Sequence, residues 1–502
     1  MSFARSLKPA AALSALFMAG CAVGPQFRPP AAPAGADYAA KPLPASTVSA
    51  DGPQGDAQQF VRGMDIPGQW WTLFHSKALN AAIEQALKAN PSIAAAQASL
   101  RAAHEDMLSE RGSLLPSLTA STSSSEIRTA TGALAPTSAS GRPQYSLFTG
   151  QVGVTYSVDV FGLNRRRIES VVASADMQRF ELEAAYVSLA TNVVMAATQE
   201  AGASAQLAAQ QDIVRTDTEI RDLLRRQYQL GDAAQSDLVQ QEALLAQARS
   251  MLPGLEMRVA REHNALIALL GGFPNQELTA PFDLDSLQLP QDLPVSLPSR
   301  LVRQRPDILA AEAGLHSASA QVGVAVAERL PQINLTADLG GATTALAGPF
   351  MPYSQFFNVA GGLAQPLFAG GKLVHHEKAA RARLDAAQAV YRGTVINAFR
   401  DVSDTLHAIQ SDAETLKASE DAEAAAAKSL SMARAQLKLG DGSTLYVLEA
   451  ERRYAAARQA LVQAQVARLS DTAALFQALG GGWWNRQAGV ETASSSADGP
   501  QG

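Results

Sequence analysis

Cysteine occurs once in 502 residues, at position 21, so no disulfide can form within the chain. Basic charge is not in surplus: Lys and Arg number 41 against 47 for Asp and Glu, and the net charge of −6 leaves no footprint for binding nucleic acid. With 18% charged and 47% hydrophobic residues, neither a disordered acidic chain nor a bundle of membrane helices fits. Gly-rich phosphate loops and sets of nucleophile, base and acid are missing, which argues against an enzyme and against a cofactor other than a covalent lipid. One cluster, His375-His376-Glu377, invites a metal reading, but adjacent residues point to different faces of a helix, so a solvated helix start is the simpler reading. His104, His263, His316 and His407 are scattered.

Proline is absent, and glycine limited to Gly202, from Asn164 to Leu230. Strong helix formers dominate that stretch, Asn164 follows a Phe161-Gly162 turn as an N-cap, and a helix of this length runs about 100 Å. Leu230-Gly231-Asp232 ends it with a glycine suited to the left-handed conformation, and a second helix from near Ser236 to Leu270 makes a hairpin with a glycine tip. Leu223, Leu224, Tyr228 and Leu230 are mixed with Ala184, Ala185, Ala190, Ala196 and Ala197, and such a small-residue stripe lets helices pack side by side.

At the start, Arg5 and Lys8 precede an apolar run from Ala10 to Ala19 that is too short to span a membrane and reads as a secretory signal over residues 1–20. Met18-Ala19-Gly20-Cys21 resembles a bacterial lipobox, with Met18 where Leu is usual; the resemblance implies that Cys21 is acylated and becomes the mature N-terminus. Ala22, rather than Asp, after that cysteine implies sorting to the outer membrane. Residues 21–62, rich in Pro, Ala, Gly and Ser, read as an acylated tether.

Between the helices the period changes. Phe148, Val152, Val154, Tyr156, Val158 and Val160 share one parity, and Thr149, Gln151, Thr155, Ser157 and Asp159 the other, the pattern of a barrel strand with one face to lipid and one to water. Residues 272–303, punctuated by Pro274, Pro281, Pro290, Pro294 and Pro298, form a connector without long regular elements. Beyond it the order repeats: a helix from Arg305-Pro306, alternation around Ile333, Leu335, Ala337 and Leu339, a further alternating segment with Phe357, Val359 and Leu363, a long helix from Lys372, a tip at Leu439-Gly440-Asp441, and a return helix to Leu479. Pro91 and Pro306, like Pro116 and Pro331, are 215 apart, whereas Gly231 and Gly440, like Leu270 and Leu479, are 209 apart. Constant offsets of this kind indicate a tandem duplication, with repeats at 63–271 and 304–481 and a disordered tail at 482–502.

Four candidate strands are too few to close a barrel in lipid, where the smallest bacterial barrels have about eight. Two or three chains sharing one barrel would solve this, and the long helices would then wall a tube. A competing reading is a coiled-coil structural lipoprotein, an envelope spacer or adhesin without a pore; lipid-facing strands between the helices count against it.

Cys21-Ala22-Val23-Gly24-Pro25, Trp70-Trp71-Thr72-Leu73-Phe74, Arg305-Pro306-Asp307-Ile308, Pro366-Leu367-Phe368-Ala369-Gly370-Gly371 and Leu439-Gly440-Asp441-Gly442 together resemble the NodT-type lipoprotein branch of the TolC-like outer-membrane factors. The resemblance implies an α+β membrane protein: a homotrimer whose twelve-stranded outer-membrane β-barrel continues into a periplasmic α-helical barrel. It implies an exit duct that conducts passively, working with a periplasmic adaptor and an inner-membrane pump, often of the resistance-nodulation-division (RND) type. It also implies that Leu230, Gly231, Asp232, Leu439, Gly440 and Asp441 face the periplasm and meet the adaptor, and that two acidic residues three apart constrict the entrance. Tyr446 and Glu449 stand at those positions, so only one is acidic, and an ordinary solvated helix face is the competing reading of Glu449.

Overall fold

The computed structural model describes residues 22–33, 38, 44–128, 144–278, 281–344, 352–439 and 444–486. The signal segment, Cys21, Gly440, Asp441 and residues 487–502 lie outside the described residues. In chain order the elements are β1 (Gln59–Arg62), a single-turn helix Trp70–Phe74, α1 (Lys77–Ala89), α2 (Pro91–Arg111), β2 (Ser117–Arg128), β3 (Gln144–Val158), α3 (Leu163–Leu230) and α4 (Gln235–Leu269). There follow β4 (Asp292–Val295), α5 (Pro298–Gln304), α6 (Pro306–Ala327), β5 (Gln332–Thr343), β6 (Gln355–Ala364), α7 (Lys372–Lys438) and α8 (Thr444–Ala478). Among the described residues no helix is long and apolar enough to cross a membrane.

Two compact units divide the chain: residues up to Pro29 with Ser99–Gln178 and Ala311–Tyr391, and Pro30–Ala98 with Arg179–Ala310 and Arg392 onward. The first holds an antiparallel four-stranded sheet in the order β2-β3-β5-β6. The carboxylate of Asp159, one residue past β3, accepts the backbone N–H groups of Asn164 and Arg165 at 3.0 Å each. Asp159 therefore caps α3, and Asn164, expected as the cap, lies inside the helix, where its side chain donates to Ser113 O at 3.3 Å.

The beginning of the expected tether is docked in this unit. Arg166 donates through Nε to Val23 O at 2.9 Å and through Nη2 to Ala22 O at 3.3 Å and Gly24 O at 3.4 Å. Glu169 balances it at 2.6 Å and accepts from His316 Nε2 at 3.0 Å, and the Phe27 ring stacks on that imidazole at 4.3 Å. Gly24 has φ +97°, and a Cβ there would lie 2.5 Å from Gly323 Cα, so two backbones pass closer than any side chain permits.

In the second unit, β1 runs parallel to β4, with Gln59 opposite Asp292 and Arg62 opposite Val295. Gln54 donates to Leu284 O at 2.8 Å, Gln58 to Pro290 O at 3.0 Å, and the buried Arg468 to Asp56 O at 2.6 Å. The reading of 21–62 as an acylated tether is thus corrected in its last third, which is folded onto the connector and α8: Gln54 and Gln58 satisfy carbonyls of the connector, and Arg468 satisfies that of Asp56. The tail boundary moves too. Trp483–Asn485 form a further turn, Trp483 Nε1 donates to Gln304 O at 2.7 Å and Asn485 Nδ2 to Ile66 O at 2.8 Å, so the fold continues to Arg486.

Two of the motifs shared with the resembling family, at Trp70 and at Arg305, have structural work in this unit. Trp70, fully buried, stacks on Phe476 at 5.1 Å beside Phe74. Arg305 forks onto Asp307 at 3.0 and 2.7 Å, reaches Asp401 on α7 at 3.2 Å and donates to Ala478 O at the end of α8 at 3.0 Å. Burial works against that guanidinium, but Asp307 and Asp401 outweigh it and raise its pKa. On α7, Ala398, Val402, Leu406, Ile409, Ala413 and Leu416 are all fully buried, a spacing of four or three that forms a seam for helix packing. Ala190 and Ala197 are buried on α3, as an Ala stripe requires, while Ala184, Ala185 and Ala196 are half-buried.

Candidate channel wall and gate

Strand register sorts the sheet into two chemistries. Val152 of β3 lies opposite Ala120, Leu339 stands opposite Val152, and Phe357 stands opposite Leu339; the next rows are Leu118, Val154, Ala337 and Val359, then Tyr156, Leu335 and Gly361, then Val158, Ile333 and Leu363. The alternate rows carry Thr119, Gly153, Asp338 and Asn358, then Ser117, Thr155, Thr336 and Ala360, then Ser157, Asn334 and Gly362. One face is therefore aliphatic and aromatic, and the other carries hydroxyls, amides and a carboxylate. The apolar face is uncovered: Phe357 is 80% and Val359 76% exposed, and Leu118, Leu339 and Leu363 are exposed with them. A sheet with an open apolar face and a polar face is suited to a lipid boundary on one side and water on the other. Among the described residues, β2 and β6 each pair on one side only.

At the other functional region, the first tip is a Schellman closure. Gly231 takes φ +86°, its N–H donates to Tyr228 O at 3.1 Å, and Asp232 N–H donates to Gln227 O at 2.8 Å. Leu230 and, at the end of the second long helix, Leu439 stand 77% and 79% exposed. Tyr446 and Glu449 sit in the first turns of α8, both exposed. Glu449 has Arg452 Nη1 at 3.9 Å, and Arg452 Nη2 donates to Gln247 of α4 at 3.2 Å, so the one acidic residue of the expected pair is partly offset by a cation.

His376 binds Glu328 at 2.9 Å, while Glu377 accepts from Arg381 at 2.9 Å and also pairs with Arg329. The hydrogen bonds from Arg381 and Arg329 hold Glu377 below the usual carboxylate range. The histidine cluster is a polar brace at the start of α7, and no group of metal-binding side chains occurs among the described residues.

Two arginine–glutamate pairs close the hairpins, and sequence inspection missed both. Arg225 on α3 meets Glu242 on α4 at 2.9 Å, and Arg434 on α7 meets Glu451 on α8 at 2.8 Å. Each partner of the second pair lies 209 residues after its counterpart, the same offset as the tips, and that spacing was the available signal.

A two-faced sheet joined in one chain to long antiparallel hairpins defines a channel-forming protein of the outer membrane rather than a pore-less spacer. The family model for outer membrane efflux proteins matches residues 82–272 and again 297–481, and the chain belongs to that family, the TolC-like outer-membrane factors. It is similar to the probable efflux pump outer membrane protein TtgC of Pseudomonas putida, 29% identical over 96% of this chain and 98% of the relative. Outer membrane protein OprJ of Pseudomonas aeruginosa is 30% identical over 95% of this chain and 97% of the relative. The outer-membrane channel OprN has a similar structure, with a TM-score of 0.80 and 26% identity, covering 92% of this chain and all of that one. The protein is an outer-membrane exit duct for efflux, with a helical periplasmic part.

Proposed function

We propose that three copies of the chain close one twelve-stranded barrel and one helical tunnel, the homotrimeric exit duct of a tripartite efflux system. The observation that carries this is the sheet with, among the described residues, two open edges and an uncovered apolar face, because unpaired strand edges are not tolerated in lipid. The two matches of one family model, and the shared 209-residue offset of the tips and of the arginine–glutamate pairs, support a tandem duplication with repeats over 63–271 and 304–481. A periplasmic adaptor docks at the tips around Leu230-Gly231-Asp232 and Leu439-Gly440-Asp441, and an inner-membrane pump of the RND type supplies cargo and energy. The duct itself conducts passively and needs no cofactor, and cargo choice lies with the pump. Tyr446 and Glu449 constrict the entrance as an aromatic and a carboxylate ring, and carboxylates there favour cations. Cys21 carries the lipid that fastens the mature N-terminus to the outer membrane.

Detergent-extracted protein placed in planar bilayers is expected to give stable conductance steps, biased toward cations, with the bias lost in Glu449→Gln. An electrically silent, water-soluble rod would end the duct reading. Metabolic labelling with palmitate is expected to mark the wild type and spare Cys21→Ser.

A further inference from the structure

Six to fourteen residues from the glycine tips, about 10–20 Å along the helices, four helices of the second unit meet at a buried polar cluster. Asp217 of α3 is 1% exposed, and its carboxyl lies within hydrogen-bond reach of the Glu451 carboxyl on α8. From α7, Arg434 Nη2 donates to Glu451 Oε1 at 2.8 Å. From α4, the fully buried Gln241 donates through Nε2 to Asp217 O at 3.3 Å. Asp217 Oδ1 and Gln241 Oε1 are buried acceptors without a donor, and Arg434 Nε is a buried donor without an acceptor. Two buried carboxyl groups have one half-buried guanidinium beside them, so one negative charge is left over when both are ionised. Two carboxyl groups in contact attract only when one of them is protonated and donates its O–H to the other.

We propose that Asp217 and Glu451 form a proton-operated latch that ties the first helical hairpin to the second: one shared proton holds them together, and its loss sets two like charges face to face and frees the tips to part. The latch rests on the reading of the tips as the entrance to the duct. Burial first, then the charge and hydrogen bond of Glu451, push Asp217 from 3.8 up to about 7, against the opposing pull of Arg434 and Gln241. The proton belongs to the joined form, so joining is favoured fully below the ordinary carboxylate range and the advantage is lost as pH rises through about 7. Other charges nearby are already engaged: on α3, Arg221 pairs with Asp222, and Arg225 with Glu242 of α4. The duplication did not copy the device, since the residue 209 positions after Asp217 is Ala426.

Hydrogen–deuterium exchange on the full chain in detergent micelles, corrected for the intrinsic pH dependence of exchange, tests this without any need for conductance. Protection across 210–245 and 428–456 is expected to fall about tenfold between about pH 6 and about pH 8 in the wild type. Asp217→Asn, a permanently uncharged partner, is expected to keep its protection at both values, and Glu451→Gln provides the same test if the first variant folds poorly. Asp412→Asn, which alters a separate carboxyl pair, is expected to leave the change at the tips intact. Equal wild-type protection at both pH values, or an undiminished fall in the folded Asp217→Asn or Glu451→Gln variant, would overturn the latch. Absence of channels in bilayers with the exchange pattern intact would instead sink the duct reading alone.

Discussion

The two helical hairpins close with the same arginine–glutamate pair at the same distance from their glycine tips, yet the pairs live in different surroundings. Arg225 and Glu242 are both exposed, whereas Glu451 is buried, Arg434 is half-buried, and Asp217 leans on them from the other hairpin. An exposed ion pair is screened and offset by side-chain entropy, and contributes about 0–1 kcal/mol. A buried one matters through what remains when it is broken. The two clasps match in residue types and in spacing from the tips, and burial sets only the second apart.

Arg434→Ala should have the largest effect. It leaves two buried carboxyls without their cation, and a loss of about 3 kcal/mol in chemical denaturation is expected; a loss no larger than that of Arg225→Ala would erase the contrast between the clasps. Gly231→Val comes next, at about 1–3 kcal/mol, because valine resists the φ of +86° in the Schellman closure. Its damage should appear as faster amide exchange confined to the first tip. Arg225→Ala, on the exposed clasp, should cost under about 1 kcal/mol and lose even that in high salt.

A pH series sharpens the comparison at the small end. Asp412 on α7 is also pushed up to about 7, by burial and then by the neighbouring Asp471 carboxyl, with Arg468 opposing. Its folded pKa is raised, so the stability it contributes is present at low pH and lost as pH climbs through about 7. Asp412→Asn should flatten part of the fall in global stability as pH climbs from the ordinary carboxylate range to about 7 while sparing the tips, and Asp217→Asn should flatten the change at the tips.

Much of this was legible in the sequence. Alternation in β3, β5 and β6 showed through because one face is aliphatic and the other polar, and the first glycine tip showed through because a helix of this length ends abruptly. β2 was harder to read, since Ser121 to Ser125 put hydroxyls on both faces and blur the period. β1 and β4, at four residues each, are too short for any period and form only because the connector brings them together. Asp159 caps α3 from five residues upstream of Asn164, across a turn that local cap rules do not span. The Asp217 cluster was hidden for a deeper reason: its members come from four helices, and nothing in the order of residues says that a carboxylate on α3 meets one on α8.

Native mass spectrometry of the full chain in detergent tests most directly whether one copy is incomplete. A species of three chains that withstands dilution, and that dissociates when proline is placed in edge strand β6, is expected. A stable monomer with the same folded sheet would contradict the shared barrel.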